Sequence, residues 1–190
     1  MRELRLVTGN MHKLQEFQHG LGQLGITVSL LKADCDEVQA DTLEEVVRSC
    51  LDQIADQGHE DFILDDSGLF VHALNGFPGV YSSYVFSTIG NDGILKLLNG
   101  SEDRTAHFEC CIGCHLCGER IIVTGRSSGE ITMGPRGSDG FGYDPVFQPD
   151  GAQRTFAEMG LEEKGRYSHR GDAMRHFVAE LDKRMGRNNR

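Results

Sequence analysis

Leu4-Arg-Leu-Val7-Thr8-Gly9-Asn10-Met-His-Lys13-Leu14-Gln-Glu-Phe17 is the stretch that decides the fold. Its short apolar run, Leu4 to Val7, predicts a strand. Thr8-Gly9 predicts a turn, and Asn10 an N-cap for a helix that turns Leu14 and Phe17 inward. Strand, tight turn and helix in that order open an α/β sheet. The same turn leaves Lys13 in the first turn of the helix, where the backbone already favours anions. Thr8-Gly-Asn-x-x-Lys13 offers N–H groups, a hydroxyl, an amide and an ammonium to a polyphosphate. It lacks the Gly-x-x-x-x-Gly-Lys-[Ser/Thr] spacing of a Walker A loop. Taken alone, it also fits an ordinary capped turn.

Further along, Asp41-Thr42-Leu-Glu-Glu45 is a capping-box pattern, followed by Leu43, Val46, Val47, Cys50, Leu51 and Ile54 at helical spacing. Asp61 to Leu64 reads as a buried strand that ends by delivering Asp65 and Asp66 at its C-terminal end, the edge where α/β sheets place ligands. Asn75 to Gly79 is turn chemistry, and Asp92 to Leu98 predicts a short helix. Thr105 to Leu116 and Arg120 to Thr124 predict a hairpin across Cys117-Gly118. Gly134 to Pro149 reads as a Gly/Pro-rich loop. Ser168 caps a last helix with Ala173, Met174, Phe177, Val178 and Leu181 inward, and Gly186 to Arg190 reads as a frayed tail. The fold class expected is α/β, with a long hairpin inserted in the middle. No repeat or linker divides the chain, so one domain over residues 1–190 is expected.

At 190 residues and 38% hydrophobic composition, the chain can bury one sizeable core. A formal net charge of -10 argues against a general nucleic-acid binder, so an anionic substrate needs a local basic pocket. No segment approaches the roughly 20 apolar residues of a membrane span, and no signal peptide is evident, so no membrane partner and a cytoplasmic location are expected. In that compartment the six cysteines should be mostly reduced thiols.

Asp65 and Asp66, with Glu37 upstream, are candidate hard-oxygen ligands for Mg²⁺, and either aspartate is a candidate base for an attacking water. A solvated turn after a strand is the plainer reading of Asp-Asp-Ser-Gly. Gly140-Phe141-Gly142-Tyr143-Asp144 has the parts of a base pocket: glycines for close backbone approach, an aromatic face and a carboxylate to accept from a ring N–H. A turn with an aromatic anchor fits it too. Lys164 to Gly171 sets cations and an imidazole at a helix start.

Two other signals are set aside. Cys110-Cys111-x-x-Cys114-x-x-Cys117 has metal-cluster spacing, but in a strand positions three apart face opposite ways, so buried thiols are expected. Gly125-Arg-Ser127-Ser-Gly129 matches the hydrolase elbow, yet it falls between strand-like runs rather than at a strand-to-helix turn. His107 and His115 in the same region read as structural.

Five motifs together carry a resemblance. Thr8-Gly-Asn-x-x-Lys13, Asp65-Asp-Ser-Gly-Leu69 with Asn75-Gly-x-Pro-Gly-Val-Tyr-Ser82, Gly140-Phe-Gly-Tyr-Asp-Pro145, Phe156-Ala-Glu-Met159 and Lys164 to Gly171 resemble, in order and over nearly the whole chain, the signatures of the inosine triphosphate pyrophosphatase family. The resemblance implies an elongated mixed central sheet with flanking helices, and two lobes around a deep substrate cleft. It also implies a homodimer, a requirement for Mg²⁺, and hydrolysis of ITP, dITP and XTP to the monophosphate and pyrophosphate, which keeps deaminated purines out of DNA and RNA. Carried over by position, Thr8, Gly9, Asn10 and Lys13 hold the phosphates, Asp66 is base and metal ligand, and Ser67 contacts substrate. Phe141 stacks on the base beside Gly142. Tyr143, Asp144, Lys164, His169 and Arg170 frame the base and ribose. Glu37 and Asp65 join Asp66 around the metal. The family's phosphate-reaching lysine on the helix after Glu37 is absent here. Ser49 stands at that position with Arg48 beside it, and adjacent helix positions are turned by about 100°.

The expected chemistry is attack of water on the α-phosphorus with pyrophosphate leaving, driven by positioning and charge neutralisation. Selection should come from donors to the purine 6-oxo group, which adenine would leave unpaired. Two rival readings are a Maf-like pyrophosphatase of modified pyrimidine triphosphates and a non-catalytic metal or redox module built on the cysteines.

Overall fold

The computed structural model describes residues 2–188. Strand β1 (Arg2–Val7) pairs in parallel with β2 (Ile26–Leu31) on one side and β3 (Phe62–Val71) on the other. Helices α1 (Met11–Gly22) and α2 (Leu43–Asp56) make those two crossovers. Beyond β3 the pairing turns antiparallel, through β5 (Thr105–Leu116), β6 (Glu119–Ile131) and β7 (Phe147–Pro149), while the two-residue β4 (Pro78–Gly79) also joins β3. The result is a mixed seven-stranded sheet of order β2-β1-β3-β5-β6-β7. Three further helices complete the α/β fold: α3 (Ser82–Leu97), α4 (Leu161–Tyr167) and α5 (His169–Asn188).

Local chemistry explains most of the boundaries. Asn10 accepts from the N–H groups of His12 and Lys13 to start α1, and Thr42 and Glu45 form the reciprocal capping box of α2. Cys117 and Gly118 both take positive φ, 51° and 76°, as a two-residue hairpin turn of the primed type requires. Ser168 Oγ accepts from the N–H of Gly171, 3.1 Å away, and opens α5.

Other boundaries differ from expectation. The strand delivering Asp65 and Asp66 does not end at Leu64, because β5 pairs with it continuously from Phe62↔His115 to Val71↔Ala106. Its parallel pairing does end there, at Val7↔Leu64. The two aspartates therefore sit inside a strand, just past the last residue of β1. Strand β6 likewise runs on past Thr124, so the Gly125–Gly129 stretch lies within it. At Gly125 a Cβ would lie 2.1 Å from the backbone nitrogen of Ala173, so that glycine lets α5 press on the sheet. Helix α3 begins at Ser82 rather than Asp92, with Gly90 (φ 60°, ψ −163°) breaking it in two. Its first half, rich in aromatic and β-branched residues, carries little helix propensity of its own. Gly186 to Asn188 belong to α5 instead of a frayed tail; Asn189 and Arg190 lie outside the described residues.

The centre of the sheet is buried on both faces. Cys110, Ile112 and Cys114 pack with Phe17 and Phe177 under α1 and α5, while Cys111, Phe62 and Leu64 pack under α2. The β5 cysteines thus divide between the two faces, as strand alternation dictates. A third cluster of Phe108, Phe147, Phe156, Tyr143 and Ile94 fills the far end. The expectation of mostly reduced thiols needs one correction: Cys35, in the segment after β2, and Cys50, on α2, form a disulfide with Cα atoms 5.3 Å apart. Spacing along the chain held no sign of that pair. Among the described residues no helix is long and apolar enough to cross a membrane.

Candidate active site

Where β1 ends and β3 continues, a cavity of about 590 Å³ opens. Its lining takes Thr8, Gly9, Asn10 and Lys13 from the start of α1, Glu37 from the segment after β2, and Asp65, Asp66 and Ser67 from β3. It takes Phe141, Gly142, Tyr143 and Asp144 from the loop before β7, and Lys164, His169 and Arg170 from α4 and α5. Residues nominated from motifs far apart in the chain are therefore brought to one place.

Strand alternation sends Asp65 and Ser67 to one side and Asp66 to the other. On the first side lies a buried relay of charges. Asp65 Oδ2 accepts from Arg170 Nη2 at 3.0 Å and Nε at 3.1 Å, and from Ser67 Oγ at 3.2 Å, with Lys13 Nζ 3.3 Å away. Arg170 Nη1 donates to Glu16 Oε2. Lys164 Nζ donates to Glu16 Oε1 and to Asp144 Oδ2, both at 2.7 Å. Asp144 Oδ2 also accepts from the N–H of Phe141 at 2.9 Å, which ties the aromatic loop to the relay.

Burial alone would raise Asp65, but Lys13 and Arg170 together outweigh it and hold the carboxyl well below the usual range. The same contest leaves Glu16 lowered, with Arg170 and Lys164 prevailing over burial. Asp144 stays raised, since burial there exceeds what Lys164 returns. Glu16 escaped the sequence reading. The signal was a carboxylate three residues after Lys13, on the inward-facing side of an otherwise apolar helix stripe.

The other side is different in kind. Burial lifts Asp66 to about 6, with Lys13 opposing and the charges of Glu37 and Asp65 adding to the rise. Among the described residues neither Asp66 nor Glu37 has an ion-pair partner within 4.0 Å. Asp65 Oδ1, facing away from its cations, is buried with no hydrogen-bond partner.

The described residues hold no cluster of three His, Cys, Asp or Glu groups preformed for a metal. Mg²⁺ does not require one, because it takes one or two carboxylates and completes its shell with water and substrate phosphates. Asp66 and Glu37, two carboxylates on one cavity without ion-pair partners among the described residues, are hard-oxygen donors of the kind that fits it.

At the phosphate loop, the N–H of Asn10 is taken by Thr8 Oγ1 at 3.1 Å, and those of His12 and Lys13 by Asn10 Oδ1 at 2.9 and 3.4 Å. The loop is thus pre-shaped by its own side chains, leaving the Thr8 hydroxyl hydrogen and the Asn10 amide as donors. Lys13 Nζ also donates to the carbonyl of Asp65 at 3.1 Å.

At the aromatic loop, Lys164 Nζ lies 4.9 Å and Arg170 Cζ 5.7 Å from the centre of the Phe141 ring, and His12 from the start of α1 stacks on that ring at 5.5 Å. Tyr143 commits its hydroxyl to the carbonyl of Ser82 at 3.0 Å and meets Phe86 edge-on, so it anchors the wall. His169 is buried and stacked on Phe108 at 4.6 Å, with Nδ1 unpartnered. Burial, then the charges of Arg170 and Lys164, pull its pKa well down and leave it neutral. Arg48 pairs with Glu44 on the exposed face of α2 and is not part of the cavity wall, and Ser49 Oγ accepts from Gln53.

An α/β sheet that sets paired cations on one wall of a cavity and uncompensated carboxylates on the other, at the end of its parallel strands, has the features of an anion-binding site at a sheet edge. The chain belongs to the Ham1 family, whose profile matches residues 4–180. It is 52% identical over 182 residues to the dITP/XTP pyrophosphatase of Thermococcus kodakarensis, covering 96% of this chain and 98% of that one. It is 47% identical over 175 residues to the dITP/XTP pyrophosphatase of Pyrococcus horikoshii, covering 92% and 94%. Among solved structures, the Staphylococcus aureus Ham1 protein superposes with a TM-score of 0.82 at 31% identity, covering 96% of this chain and 100% of that chain.

Proposed function

We propose that this chain is a Mg²⁺-dependent nucleoside triphosphate pyrophosphohydrolase that converts dITP, ITP and XTP to the monophosphate and pyrophosphate. It acts in the cytoplasm as a homodimer of one-domain subunits, each with two lobes around the cleft. The observation that carries this reading is the split of one cavity into a compensated cationic wall and an uncompensated pair, Asp66 and Glu37. A triphosphate with its cation supplies the charge that the second half lacks.

Thr8, Asn10 and Lys13 receive the phosphates at the start of α1, with Gly9 permitting close approach. Glu37, Asp65 and Asp66 would hold Mg²⁺, which would supply neutralisation of phosphate charge. Asp66 takes the proton of the attacking water, and Ser67 contacts substrate beside it. Phe141 stacks on the purine next to Gly142, within a frame kept in place by Tyr143, Asp144, Lys164, His169 and Arg170. Donors to the 6-oxo group discriminate against adenine.

The test is product analysis. Released pyrophosphate and orthophosphate are measured with ITP, dITP, XTP, ATP and GTP, with Mg²⁺ and with chelator. Pyrophosphate from the first three, abolished by chelator, is expected. Orthophosphate as product, or equal use of all five, would overturn the reading.

A further inference from the structure

Residues 32–40, which carry Glu37, form no helix or strand. Ala33 and Cys35 pack against the core cluster under α2, and the hydrogen bonds of the segment run to that helix. Gln53 exchanges hydrogen bonds with the backbone of Asp36, both at 2.9 Å, and Gln57 donates to the carbonyl of Asp34 at 2.8 Å. Those contacts are exposed to water. The covalent link is the disulfide from Cys35, two residues before Glu37, to Cys50 on α2. Both cysteines line the same cavity as Glu37. Cys50 is 4% exposed, whereas Cys35 is half-buried and open to attack from solvent.

We propose that Cys35–Cys50 is a redox-sensitive tether that positions Glu37 over the cavity, so that reduction by a dithiol loosens the segment and weakens divalent-cation binding. This rests on the reading of Glu37 as a metal carboxylate. In the step itself, a dithiol thiolate attacks Cys35 Sγ, the S–S bond breaks, and Cys50 leaves as thiolate and takes up a proton. The second dithiol thiolate then attacks the mixed disulfide and releases Cys35. Two electrons pass to the protein and the dithiol becomes a disulfide. With the covalent tie gone, the stretch from Cys35 to Glu37 is held by the partly buried packing of Ala33 and Cys35 and by solvent-exposed hydrogen bonds to α2, which compete with water. The Glu37 carboxylate then samples positions away from Asp66, and the ordering cost falls on the cation that binds there.

The experiment uses the full, nucleotide-free chain with Mn²⁺ as an EPR-visible probe. Free Mn²⁺ is titrated for air-oxidised protein, for protein reduced with dithiothreitol and desalted, and for the same sample reoxidised, and alkylation mass spectrometry follows Cys35 and Cys50. The two cysteines should resist alkylation until reduction. The Kd for Mn²⁺ should then rise by roughly 5-fold or more and return on reoxidation. Cys50→Ser should bind as the reduced protein does in either condition, and the reversible wild-type cycle stands without it if that variant misfolds. Glu37→Gln should weaken binding and erase the redox dependence. Alkylation of Cys35 and Cys50 in the oxidised sample would overturn the tether. So would equal Kd values in both states while Glu37→Gln weakens binding, though the metal reading would survive. Unchanged binding in Glu37→Gln would overturn the metal reading and this inference with it.

Discussion

Two walls of one cavity treat charge in opposite ways. Along the first, Lys13, Asp65, Arg170, Glu16, Lys164 and Asp144 alternate in sign, and each contact is made before any ligand arrives. Along the second, Asp66 and Glu37 repel each other and, among the described residues, have no ion-pair partner; Lys13 opposes only in part, and Asp66 rises to about 6. Buried ions are tolerated only when compensated. The first wall is therefore finished architecture. The second is unfinished and specifies what must come to it.

Breaking the first wall should have the largest effect. Glu16→Ala leaves Arg170 and Lys164 without the carboxylate they share, and should lower stability by about 3–5 kcal/mol in denaturant unfolding at neutral pH. Because the pKa of Glu16 is lowered in the fold, its contribution is present above the usual carboxylate range and is lost as pH falls through its folded value. The gap between variant and wild type should accordingly close in acid. An equal gap at all pH values would mean that packing, not charge, holds this wall.

Asp66→Asn probes the second wall. Turnover should fall by at least roughly 10²-fold, the lower range for a general base, in a protein that remains folded. Near-normal turnover would remove Asp66 from the chemistry. The same variant sharpens the comparison in a second way. The folded pKa of Asp66 lies above its ordinary value of 3.8, so ionising it penalises the fold, progressively between about pH 4 and 6 and fully above. Without Mg²⁺, Asp66→Asn should thus be more stable than wild type at pH 8, by on the order of 2 kcal/mol, and no more stable at pH 4. Removing a carboxylate from the paired wall should do the reverse. The smallest effect belongs to Arg48→Ala, whose exposed pair with Glu44 is worth at most about 0.5 kcal/mol; its KM for dITP should stay within about twofold of wild type. A larger rise would give Arg48 the phosphate role that its position denies it.

How much of this was legible in the sequence follows from range. The α1 start, the capping box of α2, the β5–β6 turn and the opening of α5 were readable because each depends on residues within a few positions of one another. The motif residues were found together because each motif carries a local signature of its own. Partners joined only by the fold, from 15 to 154 residues apart, leave no such mark. Arg170 meeting Asp65 and Glu16, Cys35 meeting Cys50, and β5 extending β3 through two aspartates are all consequences of the sheet order. Strand propensity alone would have ended β3 at its first aspartate. Cross-strand pairing overrode it, and that override is what turns adjacent carboxylates to opposite walls.

The most direct measurement is a carbon-13 NMR titration of the Asp66 side-chain carboxyl in the nucleotide-free protein, with and without Mg²⁺. The account predicts a midpoint near 6 without the ion, shifted to lower pH when Mg²⁺ is present, while Asp65 remains ionised throughout. A midpoint near 3.8 that ignores Mg²⁺ would contradict it, because the second wall would then lack the uncompensated charge on which the proposed function stands.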